Sequence, residues 1–284
     1  MSTDDGQEFR LPDLRFVSVD SLVPHEQHDE QRAAPLVEHM REQGVMRSPP
    51  VVAPLAPGDP RYVVLDGANR ATAARKAALP HLVVQIVDYD DPGIRLTTWH
   101  HALSAFPIPE LQSALATVAH LECRDTDLLH ARAVLARREA IAFVAQPGDR
   151  ACTLHGIGDL NHRNALLNSV VDAYRSRARF YRVPHDSLAE AQSRHPEVTA
   201  LVVFPRFEPA EVLELATSGA KLPAGITRHL IPWRALRVNV PIERLADASR
   251  TLEEKNHWLE GWLLEKLHQR HVRFYEEPTV LFDE

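Results

Sequence analysis

Between Asp66 and Arg70 the sequence DGANR sets an acid, a glycine, an amide and an arginine within five positions. The apolar run YVVL precedes it and the alanine-rich stretch ATAARKAA follows, so a strand is expected to end and a helix to begin here. The first amides of a helix lack internal partners and point outward with the positive end of its dipole, a geometry that binds phosphate. Gly67 would let the backbone approach a ligand closely. Arg70 could make a bidentate contact with phosphate oxygens, Ala68 and Asn69 complete the loop, and Asp66 could hold Mg²⁺ beside phosphates. The same residues would also serve as a plain helix start with a surface arginine.

Three other stretches carry chemistry. In VPHEQHDEQR, residues 23–32, Glu26 stands among His25, His28, Asp29 and Glu30. A carboxylate beside histidines can act as a general base or bind metal, and an acidic, solvated helix start would have the same composition. The His25/His28 spacing permits a metal site, although no second cluster completes one. In AGITRHLIPW, residues 224–233, Thr227, Arg228 and His229 sit inside an apolar frame. Arginine beside threonine suits a carboxylate or phosphate, or simply a turn. Trp99, in TTWHH, follows a buried strand and reads as core or as a pocket wall.

These residues need elements to position them. LRFVSVDSLV reads as a strand, EQRAAPLVEHMREQG as a helix stopped by Gly44, and PPVVAPL as a proline-flanked edge strand. RYVVLDG and HLVVQIVDY read as further strands around the helix NRATAARKAA. The pattern from about 107 to 140 is helical. AIAFVA and RACTLH form two strands joined by the turn QPGD, followed by the helix LNHRNALLNSVVDAYRSR, the strand ALVVFPRF and the helix EPAEVLELATSG. LEEKNHWLEGWLLEKLHQR is a last helix, and VRFYEE is strand-like. Its Trp258, Trp262, Leu263 and Leu267 pack on their own lobe or form a contact in a homodimer. The lack of strict βαβ alternation predicts an α+β fold of two lobes, with a boundary near 105 where Pro107 and Pro109 punctuate the chain.

The bulk properties narrow the function classes. A net charge of -7 over 284 residues is a poor global charge for gripping nucleic acid. Two cysteines without a CxxC pattern read as reduced thiols. No apolar run approaches the ~18 residues of a membrane span. The N-terminus MSTDDGQEFR lacks the apolar core of a signal peptide, so a cytoplasmic protein is expected.

Taken in order, LVPHEQ, VLDGANRATAARKA, VDYDDPGIRLTTWHHA and ITRHLIPW resemble the motifs of free L-serine kinases in the ParB/sulfiredoxin-like superfamily. The resemblance runs from about residue 14 to the tail, and RFYEEPTVLFDE is most similar to bacterial members associated with siderophore biosynthesis, which supply O-phospho-L-serine for a diaminopropionate unit. Residues 1–13 read as a frayed tail; the resemblance implies a nucleotide-binding domain over 14–105, and a C-terminal α/β domain over 106–284 that completes an amino-acid site in the cleft between the lobes. It also implies that Glu26 takes the proton of the serine hydroxyl. Asp66, Gly67, Ala68, Asn69 and Arg70 would form the nucleotide-phosphate and Mg²⁺ loop. Trp99, Thr227, Arg228 and His229 would line the serine site, and ATP or ADP would be the donor. Many members place histidine in the gap filled here by Ala68-Asn69. An amide there cannot act as an imidazole cation, which shifts the burden to Arg70 and Mg²⁺. A ParB-like, nucleotide-responsive DNA regulator is the alternative, and it would need a basic helix-turn-helix, for which LLHARAVLARREA is the only candidate region. A sulfiredoxin-type reductase would need cysteine in the loop, where Ala68 and Asn69 stand.

Overall fold

The computed structural model describes residues 11–27 and 42–275. The first large sheet contains β1 (Leu14–Ser18), β2 (Leu22–Pro24), β4 (Val51–Pro54), β5 (Tyr62–Asp66) and β6 (His81–Ile86), in the order β1-β6-β4-β5-β2. Helix α1 (Ala68–Lys76) follows β5 directly. Its inward positions Ala71, Ala73 and Ala74 are small enough to bring the helix close to the sheet. The end of the chain returns to this sheet. Strand β15 (Val240–Pro241) pairs with β3 (Val45–Met46), and after α7 (Ile242–Ala246) comes α8 (Leu252–His268), which packs on β1. Thr251 and Glu254 form a reciprocal cap at the start of α8, and the Asn256 amide bonds both backbone groups of Phe16. Trp258, Trp262 and Leu263 pack against the core of this first sheet.

The second sheet is antiparallel throughout. It has the order β12 (Arg179–Val183), β8 (His100–Ser104), β13 (Val198–Val203), β10 (Ala142–Gln146), β11 (Arg150–His155), β9 (Glu122–Asp127). Helices α2 (Ile108–Leu115), α4 (Leu160–Arg175) and α6 (Pro209–Thr217) cover one face, and α3 (Leu128–Ala136) and α5 (Leu188–Arg194) the other. One apolar cluster joins the two sheets: Ala53, Leu55, Val63 and Leu65 of the first share it with Leu103, Val144 and Val202 of the second. A short hairpin-like pair, β7 (Arg95–Thr98) with β14 (Thr227–Leu230), completes the frame.

The α+β expectation holds, with helices and sheets mixed. Three local expectations are corrected. Strand β4 is interior, between β6 and β5, because its prolines fall at its ends where no ladder donor is needed. The helical reading of 107–140 missed β9, whose polar sequence ECRDTD suits an exposed edge strand paired on one side only. Residues 271–275 form no strand. The predicted helix over 30–44 lies largely outside the described residues, although Gly44 does stand at φ 65°. Strand β9 also separates α2 from α3, so LLHARAVLA is not the second helix of a helix-turn-helix. Among the described residues no helix is long and apolar enough to cross a membrane.

Two histidines of β8 are built into the core. Burial holds His100 down to about pKa 4 and His101 to about 3. The unfolded chain takes up their protons near pH 6.5 while the folded chain does not. Stability is therefore full above that pH and falls toward pH 4, by about 1 kcal/mol per histidine per pH unit. A third buried histidine, His229, is held down in the same way; urea melts at pH 7, 6 and 5 should show this slope, and it should fall by about a third in His100→Asn.

Candidate active site

Strand β5 organises the site, because two clusters spring from its last three residues. The first surrounds Asp66. Gly67 has φ 89° and begins α1 without a side-chain cap. A Cβ at Gly67 would lie 3.0 Å from the Pro50 Cα and 3.0 Å from the Arg70 Nη2. Gly67→Ala combines that crowding with a left-handed backbone, and a loss of about 1–3 kcal/mol is expected, read as a drop in the thermal midpoint. The Arg70 guanidinium donates to the Ser48 carbonyl at 2.6 Å and to Asp66 Oδ2 at 2.8 Å, bracing the loop before β4. Arg234 donates to the same Oδ2 at 2.5 Å.

Arg234 is held in place from behind. Gln85, buried in β6, donates its amide to the Trp233 carbonyl at 3.1 Å and accepts the Ala235 N–H at 2.9 Å. Sequence reasoning missed both residues. The available signal was a lone glutamine inside the apolar run LVVQIV, where a buried amide needs partners.

The second cluster surrounds Glu26. The ladder between β2 and β5 ends at the Pro24–Val64 pair, and the Val64 carbonyl accepts from His25 Nδ1 at 2.6 Å. That anchors the turn at which Glu26 enters the site. Its Oε1 accepts the Thr227 N–H at 2.7 Å and the Thr227 hydroxyl at 2.5 Å, and its Oε2 accepts the Gly225 N–H at 2.7 Å. Three of about four lone-pair positions are thus filled, and one on Oε2 remains. Gly225 has φ 71°, and the Arg182 guanidinium packs where its Cβ would be. Arg182, from β12, was not singled out by sequence.

Side chains alternate along β14. Thr227 and His229 face His25, and Arg228 lies on the other side with its guanidinium 4.5 Å above the centre of the Trp99 ring. The Trp99 backbone N–H donates to the Ile226 carbonyl at 2.8 Å. His229 lies behind Thr227, its Nε2 2.8 Å from the Tyr89 hydroxyl. Burial, and then the neighbouring His25, hold it down to about pKa 3. The structure therefore brings Glu26, Thr227 and His229 into one cluster. It brings Asp66, Gly67 and Arg70 into another, and Arg228 with Trp99 into a third contact.

No group of three or more histidine, cysteine or acidic side chains that could hold a metal occurs among the described residues. Both ring nitrogens of His25 are engaged by protein atoms, and His28, Asp29 and Glu30 lie outside the described residues. Asp66 has one oxygen on the two arginines and a second, Oδ1, to offer. One carboxylate oxygen plus substrate phosphates is a usual way to hold Mg²⁺, so the residues present fit that ion.

No family model matches the chain. In sequence it is 26% identical over 234 residues to the ATP-dependent L-serine kinase of Staphylothermus marinus, covering 81% of this chain and 90% of that protein. It is 23% identical over 276 residues to the ATP-dependent L-serine kinase SbnI of Staphylococcus aureus, covering 95% and 97%. A free serine kinase solved in complex with AMP superposes with a TM-score of 0.71 at 19% identity, over 83% of this chain and 95% of that one, which shows a shared fold. Over most of its length in sequence, and in its fold, the chain resembles the free L-serine kinases.

Proposed function

We infer that the chain is a free L-serine kinase: it moves a phosphoryl group from a nucleotide, ATP in the first instance, to the hydroxyl of L-serine, giving O-phospho-L-serine. The observation that carries this reading is the Glu26 carboxylate. It is oriented by two backbone N–H groups and a hydroxyl, and its anchor hangs from the same strand end that leads into the Asp66–Arg70 loop.

Phosphoryl transfer asks mainly for positioning and for cations around the equatorial oxygens. Arg234 and Arg70 bring two guanidiniums to the loop, and the open start of α1 adds N–H groups favourable to phosphate. Asp66 would hold Mg²⁺, which supplies neutralisation of phosphate charge. Arg228, stacked on Trp99, is the cation for the serine carboxylate, and Thr227 fixes the base. Glu26 Oε2 takes the serine proton as the new O–P bond forms.

The reading is tested by incubating the full chain with Mg²⁺, ATP or ADP, and each free amino acid in turn, with products identified by mass spectrometry. Phosphoserine formation is expected with ATP. Absence of any phosphorylated amino acid with either donor would overturn the reading.

A further inference from the structure

Two neighbouring histidines make opposite demands for protons. His229 faces the Tyr89 hydroxyl through Nε2 at 2.8 Å. A neutral ring accepts there while the phenol donates. His25 has no such solution. Its Nδ1 must carry hydrogen, because the Val64 carbonyl 2.6 Å away can only accept. Its Nε2 lies 2.7 Å from Thr227 Oγ1, which lies 2.5 Å from Glu26 Oε1.

Thr227 has one hydroxyl hydrogen for those two short contacts. With a neutral imidazole and a carboxylate, one contact would set lone pair against lone pair. One more proton is required, on His25 Nε2 or on Glu26. Both carboxyl oxygens already accept a backbone N–H, from Thr227 and Gly225, an arrangement that suits a carboxylate. The extra proton belongs to His25, which is only 3% exposed.

On the reading of the site as a serine kinase, we propose that His25 is the positioning residue of the base. As an imidazolium it donates to Thr227 Oγ1, turns the threonine hydrogen onto Glu26 Oε1, and leaves the outer lone pair of Oε2 for the serine proton. In the transfer step that proton moves from the serine oxygen to Oε2 as the O–P bond forms. The bond from phosphorus to the nucleotide oxygen breaks with its electron pair on the leaving nucleotide. The imidazolium keeps both its protons throughout, and Oε2 returns its proton to solvent after release. Without that second proton the threonine hydroxyl would be free to turn to Nε2, and the carboxylate would lose a donor.

The titratable groups facing His25 are Glu26 through Thr227, and His229, whose ring meets it edge-on at 5.3 Å with Tyr89 behind. Burial keeps His229 neutral beside it.

Nitrogen NMR of the full chain labelled in histidine, assigned with His25→Gln, reads the protonation directly. Both His25 nitrogens are expected as N–H at neutral pH in the wild type, and Nε2 as unprotonated in Thr227→Val. In kinetics at neutral pH, His25→Gln still supplies a donor to Thr227, so kcat should stay within about fivefold of wild type with KM for serine within about twofold, while His25→Leu should lower kcat by about 10-fold or more. A neutral His25 ring in the wild type, or a kcat in His25→Leu equal to that in His25→Gln, would overturn the proposal. A chain that makes no phosphoserine would sink the kinase reading instead, and the ring protonation would still be decided by the spectra.

Discussion

The substitution Glu26→Gln is expected to slow phosphoserine formation by about 10²–10⁴-fold, the range for loss of a general base. Glutamine is close in shape, so the backbone path from Pro24 into the site should survive. Its chemistry does not fit as well. Whichever way the amide is turned, its NH₂ meets a donor, either the Gly225 N–H or the Thr227 N–H, where the carboxylate met both as an acceptor. That mismatch should cost about 1–3 kcal/mol of stability, a modest shift of the melting curve beside the loss of rate. Nucleotide affinity should change little, because the arginines on Asp66 do not touch Glu26. Single-turnover measurement of phosphoserine, with calorimetric titration of nucleotide alongside, separates the two. More than half of the wild-type rate in this variant would remove Glu26 from the chemistry.

The second large effect is expected at Asp66. It sits between two guanidiniums and next to the open start of a helix, so it has two candidate roles that one substitution tells apart. Asp66→Asn keeps an oxygen that can accept from Arg70 and Arg234 and removes the charge that would hold Mg²⁺. If the carboxylate serves the ion, kcat should fall by about 10²–10³-fold, comparable to losing one preorganised electrostatic contact, and the Mg²⁺ needed for half-maximal rate should rise. If it serves only to brace the arginines, rate and Mg²⁺ dependence should stay within about threefold of wild type, since the hydrogen bonds persist. Rate against Mg²⁺ concentration at saturating ATP decides between them. Asp66→Ala would not, because it strips both arginines of their partner at once.

Much of this architecture was legible in the residues. The strand–loop–helix unit from Tyr62 to Lys76 was readable because apolar alternation, a glycine at the junction and an alanine run all agree. Strand β9 was not, because an edge strand with water on its open side needs no apolar pattern. The interior place of β4 was hidden by its prolines, whose effect depends on which backbone groups the neighbouring strands require. At the site, Glu26, Thr227 and Asp66 could be picked out by type and neighbourhood. Arg182, Arg234 and Gln85 could not, since they act across 43, 168 and 148–150 residues of chain. Their roles exist only once β12, the segment after β14, and β6 have converged. The alternation along TRHL was readable in principle, and it separates Arg228 from its two neighbours.

The apolar cluster that spans both sheets bears on how the molecule can move. Prying the sheets apart would wet Val63 and Leu65 on one side and Val144 and Val202 on the other, surface that costs about 25 cal/mol per Å² to expose. A clamshell opening along that seam would forfeit the contacts that hold the molecule together. Exchange of reactants must then rely on peripheral segments giving way, and on heating both sheets should melt in a single cooperative step.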